Sequence, residues 1–188
     1  MKNVDILIVG GSAAGFSAAI TARRHYPDAT MALVRQETKT PVPCGIPYIF
    51  GTLGSPEKNL MPDPALAKNK AELIVDRVTG IDREAKTIST EGGQTIGYQK
   101  LILTTGSEPI VPPIPGVDSG NVFPIKKDVG HLTGILESLK DAHDVVIIGG
   151  GFIGMEMADE CRKLNGLNVS VVEMLPHCLL AVFDEELC

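Results

Sequence analysis

Two glycine-rich turns constrain this chain more than any other feature. "GGSAAG" stands at Gly10–Gly15 and "GGGFIG" at Gly149–Gly154. Each follows a short run of β-branched and leucine-like residues that reads as a strand, Val4–Val9 and Val145–Ile148, and the first has the look of a parallel strand buried on both faces. Each precedes a helical stretch, "FSAAITARRHYP" ended by Pro27 and "MEMADECRKLNG" closed by Gly166. A further strand, Thr30–Val34 or Asn168–Glu173, completes each βαβ unit. One glycine-rich loop is often only a turn, but two, each set between a strand and a helix, are hard to assign to chance. The expected class is α/β, with two Rossmann-like dinucleotide-binding folds in one chain, both incomplete.

The glycines have separate tasks in such a turn. The first permits the tight bend, the second lets backbone amides approach a pyrophosphate, and the third lets helix and strand pack closely. The helix N-terminus adds partial positive charge. The second motif is complete, with Gly149, Gly151 and Gly154 in place and Phe152 and Ile153 inside the loop. Glu173 follows 24 residues after Gly149, close to the spacing of ~20 at which an acid meets the ribose 2′-hydroxyl. A carboxylate there repels a 2′-phosphate, which predicts NADH over NADPH. The first motif departs from the pattern. Ser12 replaces the middle glycine and is followed by Ala13, Ala14 and Gly15. A small hydroxyl still fits beside phosphate and can donate to it. No acid ends the next strand: Val34 and Arg35 stand there, and Glu37 comes late. Arg35 is therefore the candidate at that end by position alone.

Between the two units, Glu72–Thr95 reads as a small antiparallel excursion with turns at Thr79-Gly80 and Gly92-Gly93. A buried strand at Leu101–Leu103 returns to "TTGS", and five prolines between Pro109 and Pro124 mark a stiff linker. Lys126–Ala142 reads as a helix. These signals divide the chain into residues 1–112 and 113–188.

Composition excludes several partners. The net charge of −6 gives no basic surface for nucleic acid. It gives no support for docking to anionic lipid either. No stretch approaches ~20 uncharged apolar residues, and the N-terminus runs straight into a strand without a secretory signal. The reading is a cytoplasmic protein with no membrane partner. The four cysteines, Cys44, Cys161, Cys178 and Cys188, show neither CxxC spacing nor a histidine at metal-ligand spacing. No zinc site and no disulfide framework is expected.

The opening "VDILIVGGSAAGFSAA", the strand and linker "LILTTGSEPIVPPIPG" and the later "VVIIGGGFIGMEMA" together resemble the FAD- and NAD(P)H-dependent pyridine nucleotide-disulfide oxidoreductases, in that family's order. Within the family the chain is similar to the single-cysteine branch of coenzyme A-disulfide reductases, NADH oxidases and NADH peroxidases. That branch carries Cys-Gly-(apolar)-Pro-Tyr, matched by Cys44-Gly45-Ile46-Pro47-Tyr48. The resemblance implies an FAD domain with an inserted NAD domain. It places the FAD pyrophosphate over Gly10–Gly15, Thr104, Thr105 and Gly106 near the flavin or ribityl chain, and the Val78 backbone at the adenine. Phe152 resembles the aromatic gate beside the nicotinamide.

Cys44 is then the redox thiol, and the other three cysteines read as structural. With no sequence-near partner, Cys44 can form a mixed disulfide, a persulfide or a sulfenic acid. Its chemistry needs a thiolate. Peroxide- and oxygen-reducing members carry a histidine where this chain has Ala14, so reduction of coenzyme A disulfide, persulfide or polysulfide is favoured. The segment before the cysteine departs from the family's Ser-Phe-x-(Asn or Ser), with Thr40-Pro41-Val42-Pro43 instead. The resemblance further implies that family members run well past this length, into a return segment with a Gly-Asp motif and a homodimerisation domain. Three alternatives stay open: an NADH oxidase or peroxidase, a ferredoxin or rubredoxin reductase, and a nucleotide-binding module without redox activity.

Overall fold

A computed structural model describes all residues, Met1–Cys188. The chain forms two compact units, Met1–Pro43 with Leu60–Val117, and Cys44–Asn59 with Asp118–Cys188.

In the first unit, β1 (Lys2–Val9), α1 (Ala13–His25) and β2 (Met31–Arg35) make the expected βαβ start. The short α2 (Pro64–Lys68) leads into β3 (Ala71–Val75), and β4 (Val78–Asp82), β5 (Thr87–Thr90) and β6 (Thr95–Leu103) follow. The six strands lie in the order β3-β2-β1-β6-β5-β4. β1 pairs in parallel with β2 and β6, and β2 with β3, whereas β4, β5 and the start of β6 are antiparallel. Alternation along the central strands divides the core between two faces. Ile6, Ile8, Met31 and Leu33 pack with Phe16, Ala19 and Ala22 of α1. Leu7, Ala32 and Val34 turn the other way and join Ile88 and Ile96 of the antiparallel excursion. Each such fully buried aliphatic or aromatic side chain contributes ~1.5–3 kcal/mol relative to exposure.

Two sequence expectations shift here. Glu72–Thr95 is not wholly antiparallel, because Ala71–Val75 joins the parallel sheet beside β2. β6 is a single nine-residue strand rather than a return at Leu101–Leu103 alone. Its first residues pair with β5 while the whole strand runs alongside β1, so one strand carries both the excursion and the parallel sheet.

In the second unit, α3 (Val129–Lys140) is capped by Asp128, whose Oδ1 accepts from the His131 amide at 2.6 Å. β7 (Asp144–Ile148), α4 (Phe152–Arg162) and β8 (Asn168–Val172) follow, with β7 and β8 parallel in the register Val145↔Val169. The core of this unit includes residues from far up the chain. Ile46, Ile49 and Phe50 are buried against Leu132 and Ile135 of α3 and Met157 and Cys161 of α4. The cysteine-bearing segment Cys44–Asn59 is thus part of the second unit's interior. No helix is long and apolar enough to cross a membrane.

Candidate dinucleotide turns and the cysteine segment

The two glycine turns share one geometry. Gly10 and Gly149 sit at φ +112° and +108°, a backbone region that side chains disfavour. Their amides donate to the second strand of each βαβ motif, Gly10 to Val34 O and Gly149 to Val172 O, both at 2.8 Å. A Cβ on Gly15 would lie 2.0 Å from the Gly10 carbonyl oxygen, and one on Gly154 1.8 Å from that of Gly149. The third glycine of each motif is therefore required by contact with the first. This close packing also moves the helix starts. α1 begins at Ala13 and α4 at Phe152, inside the motifs rather than after them, because the chain must already be coiling when the third glycine meets the first.

At the first turn, Ser12 is the N-cap residue in extended backbone and its side chain makes no capping bond. Its Oγ is buried without a hydrogen-bond partner. A helix's first amides have no acceptor within the helix, and no acid lies in the first turn of α1. An orphaned hydroxyl beside a helix N-terminus suits a phosphate group. Ala13 and Ala14 are exposed next to it. Thr104 serves the backbone: its Oγ1 donates at 3.0 Å towards both Val9 O and Gly10 O, and its amide donates to Val9 O. Gly106 follows at φ +77°. A cavity of about 170 Å³ opens among Gly10, Arg35, Glu37, Arg77, Val78 and Thr105.

Arg35 is among the residues lining this cavity, and its guanidinium is buried and already engaged. It donates in parallel to Asp63, with NH1 to Oδ1 and NH2 to Oδ2 both at 2.7 Å, and also to the carbonyls of Glu37 and Thr38. The side chain is 1% exposed. Its stem runs beneath the turn, where a Cβ on Gly11 would be 2.3 Å from Arg35 Cδ. Arg35 thus supports the loop from below, a role that its position in the sequence did not suggest. The partner, Asp63, gave no local signal.

At the second turn, Gly151 caps α4 and its missing side chain would face open space. The Glu173 carboxylate folds back onto the loop. Oε2 accepts from the Gly150 amide at 2.5 Å, and Oε1 from the amides of Met174 and Leu175 at 2.7 and 2.9 Å. The amides of Leu175 and Gly150 hold its carboxyl below the usual carboxylate range. Phe152 is half-exposed and meets Phe183 edge-on, ring centres 5.8 Å apart. Ile153 is exposed. The chain after Glu173 covers part of the loop. The Leu179 amide donates to Gly150 O at 2.8 Å, and a Cβ on Gly150 would meet Cys178 Sγ at 2.7 Å. Periodicity offers no sign of Leu179 or Phe183, which lie outside any regular element.

Cys44 is exposed and lies in a 3-10 turn, Pro43–Gly45, with a second such turn at Pro47–Ile49. Prolines fix φ at the head of each turn. Buried Ile46, Ile49 and Phe50 anchor the segment, and its two ends meet, since a Cβ on Gly45 would lie 2.0 Å from Asn59 Oδ1. Cys161, in contrast, is 1% exposed in the core. Burial pushes its thiol up, and the neighbouring Glu160 charge adds to this. The expectation of a structural cysteine at Cys161 matches that setting.

Comparison with known proteins gives a consistent result. The sequence profile described as "Pyridine nucleotide-disulphide oxidoreductase" matches residues 4–188. An NADH oxidase from Enterococcus faecalis is 32% identical, over 97% of this chain and 42% of that protein. An NAD(P)H coenzyme A polysulfide/persulfide reductase from Pyrococcus horikoshii is also 32% identical, over 96% of this chain and 42% of that one. The crystal structure of a ferredoxin reductase from Rhodopseudomonas palustris aligns over 100% of this chain and 46% of that one, with a TM-score of 0.86 and 28% identity. The chain thus spans under half the length of the relatives it matches. With both glycine turns, their strands and their helices falling inside the matched residues, the chain belongs to the pyridine nucleotide-disulphide oxidoreductase family.

Proposed function

We propose that this chain carries the electron-entry half of an NADH-dependent flavoprotein that reduces sulfur–sulfur bonds through Cys44. The observation that carries the reading is the pair of matching glycine turns, each with its third glycine closed onto the first, and the first with a buried hydroxyl lacking a partner. In this reading residues 1–112 hold FAD and residues 113–188 hold the pyridine nucleotide, apart from the cysteine segment that is packed with the latter.

In the first unit, Gly10 and Gly15 shape the turn, Ser12 Oγ donates to a phosphate oxygen, and the amides at Ala13 and Ala14 add partial positive charge. Arg35, held by Asp63, keeps the loop at one height, while Val78, Thr105 and Gly106 line the approach. In the second, Gly149, Gly151 and Gly154 admit the pyrophosphate of NADH, and the anchored Glu173 carboxylate accepts from a ribose hydroxyl. A 2′-phosphate would meet that charge directly, so NADPH binds less well. Phe152 and Ile153, exposed at the start of α4, cover the nicotinamide end.

FAD, when bound, supplies two-electron transfer from NADH to sulfur. The chain's own contribution to that transfer is Cys44. Its thiolate attacks a disulfide RSSR, forming Cys44–S–S–R and releasing RS⁻. Two electrons and two protons then return Cys44 and RSH, at the expense of one NADH and one proton. Coenzyme A disulfide, a persulfide or a polysulfide fits RSSR. The test is anaerobic titration of the purified protein with NADH, in wild type and Cys44→Ser. A yellow protein that NADH bleaches, with disulfide turnover lost in Cys44→Ser, supports the reading. Disulfide turnover unchanged in Cys44→Ser overturns the role of the thiol.

A second reading follows from the similarity to a ferredoxin reductase. Electron transfer to a small iron–sulfur protein needs no thiol, so reduction of ferredoxin by Cys44→Ser at the wild-type rate, with no disulfide turnover in either protein, favours it.

A further inference from the structure

Glu160 is the one buried carboxylate in the chain, 2% exposed on α4, and nothing in the proposed reaction uses it. Its bonds reach the cysteine segment. Oε2 accepts from the Thr52 amide at 2.7 Å, and Oε1 from the Thr52 hydroxyl at 3.0 Å. Lys163 Nζ donates to the same Oε1 at 2.5 Å and lies 3.3 Å from Thr52 Oγ1. The approach is close: a Cβ on Gly51 would stand 2.3 Å from Glu160 O and 2.7 Å from its Oε2.

Such a group is costly to bury, and an apolar replacement would often hold two surfaces together as well. The apolar contacts for that purpose are already present in Ile46, Ile49 and Phe50. Apolar contact is non-directional, so it allows the segment to slide on α4. A carboxylate that takes both an amide and a hydroxyl of one residue has one geometry. We propose that Glu160 is a positioning residue that fixes the Cys44–Asn59 segment in one register on α4, the helix that starts at the second glycine turn. The inference rests on the reading of Cys44 as the reactive thiol. It makes the thiol's placement a property of the pyridine-nucleotide unit, with Thr52 as the point of attachment.

The test is alkylation of the protein by iodoacetamide from about pH 6 to 9, read by mass spectrometry at Cys44 with exposed Cys188 as internal reference. In Glu160→Ala the Cys44 rate changes by about ten-fold or more and its pH profile moves, while Cys188 is unaffected. Glu160→Gln keeps an oxygen for the Thr52 amide and stays within about two-fold of wild type. Thr52→Val, at an exposed position, loses only the hydroxyl and shows a smaller change in the same direction. A folded Glu160→Ala protein with wild-type Cys44 rate and profile overturns the proposal, as does Glu160→Gln behaving like Glu160→Ala. If Glu160→Ala does not fold, a wild-type Cys44 rate in Thr52→Val overturns it. These rates need no turnover, so they separate the two ideas. Cys44→Ser retaining disulfide turnover removes the thiol's role and leaves the alkylation pattern in place. An inactive Cys44→Ser with unchanged rates in the Glu160 variants removes only the positioning role.

Discussion

The Glu173 carboxylate is bonded to the amide of Gly150 at 2.5 Å, so the acid at the end of β8 is tied directly to the glycine turn. The amides of Met174 and Leu175 hold its other oxygen. These three donors fix the direction of the carboxylate before any ligand arrives, which reduces the ordering cost of binding. Replacing Glu173 by Ala should weaken NADH by about ten- to a hundred-fold, the scale of a hydrogen bond to a charged group, and weaken NADPH much less. Calorimetric titration with both nucleotides checks this. The same bonds predict a pH dependence. Because the folded-state carboxyl lies below its usual range, the stability it gives is complete above about pH 4.5 and is lost as pH falls through the folded value. Glu173→Gln should flatten that part of the acid unfolding curve.

The two third glycines distinguish the two candidate sites. A methyl group at Gly15 would meet Gly10 O at 2.0 Å, and one at Gly154 would meet Gly149 O at 1.8 Å. Neither neighbour is the flexible end of a side chain, so the turn itself must open. Gly15→Ala should lower the flavin content of the purified protein while sparing NADH binding. Gly154→Ala should do the reverse. Flavin absorbance per chain and nucleotide titration of both variants measure this.

Much of the candidate site can be read from the sequence because its determinants are local. Gly10, Gly15, Gly149 and Gly154 act within one turn of their motifs, and Glu173 lies at the end of the strand that follows. What escapes the sequence depends on chain segments that meet only after folding. Arg35 bonds to Asp63, Glu160 bonds to Thr52, and the Phe152 ring packs on Phe183, and none of these pairs has a spacing that periodicity can detect. The segment Cys44–Asn59 is the clearest case. Its place in the chain suggests that it belongs with the first unit, yet its apolar residues Ile46, Ile49 and Phe50 are buried with α3 and α4. Three short turns headed by prolines, Pro43–Gly45, Pro47–Ile49 and Pro56–Lys58, give no helical or strand pattern that would show which surface they cover.

The Arg35–Asp63 pair gives a stability prediction. Arg35 is buried and Asp63 is about a third exposed, with side chains 1% and 38% exposed. Removing the acid leaves a buried guanidinium with its remaining carbonyl partners only. Asp63→Ala should cost about 2–3 kcal/mol, below the ~3–5 of a fully buried pair because solvent screens the exposed partner. Arg35→Met, which fills the space beneath Gly11 without a charge, should cost less. A lower urea midpoint at unchanged slope is the expected form of the result.

The four cysteines should separate by reactivity. Cys161 lies in the core with Met157 and the buried residues of the cysteine segment, with its thiol pushed up by burial and by Glu160. A thiol that is both enclosed and protonated is a poor nucleophile. Cys44 and Cys188 are exposed, and Cys178 is half-buried over the second glycine turn. In native protein, iodoacetamide near neutral pH should modify Cys44 and Cys188 first, Cys178 more slowly and Cys161 only on unfolding. Because Cys178 Sγ sits against Gly150, nucleotide bound at that turn should slow Cys178 further and leave Cys188 unchanged. Peptide mapping with and without NAD⁺ distinguishes this from uniform protection. Equal labelling of Cys178 in both samples would place the nucleotide elsewhere.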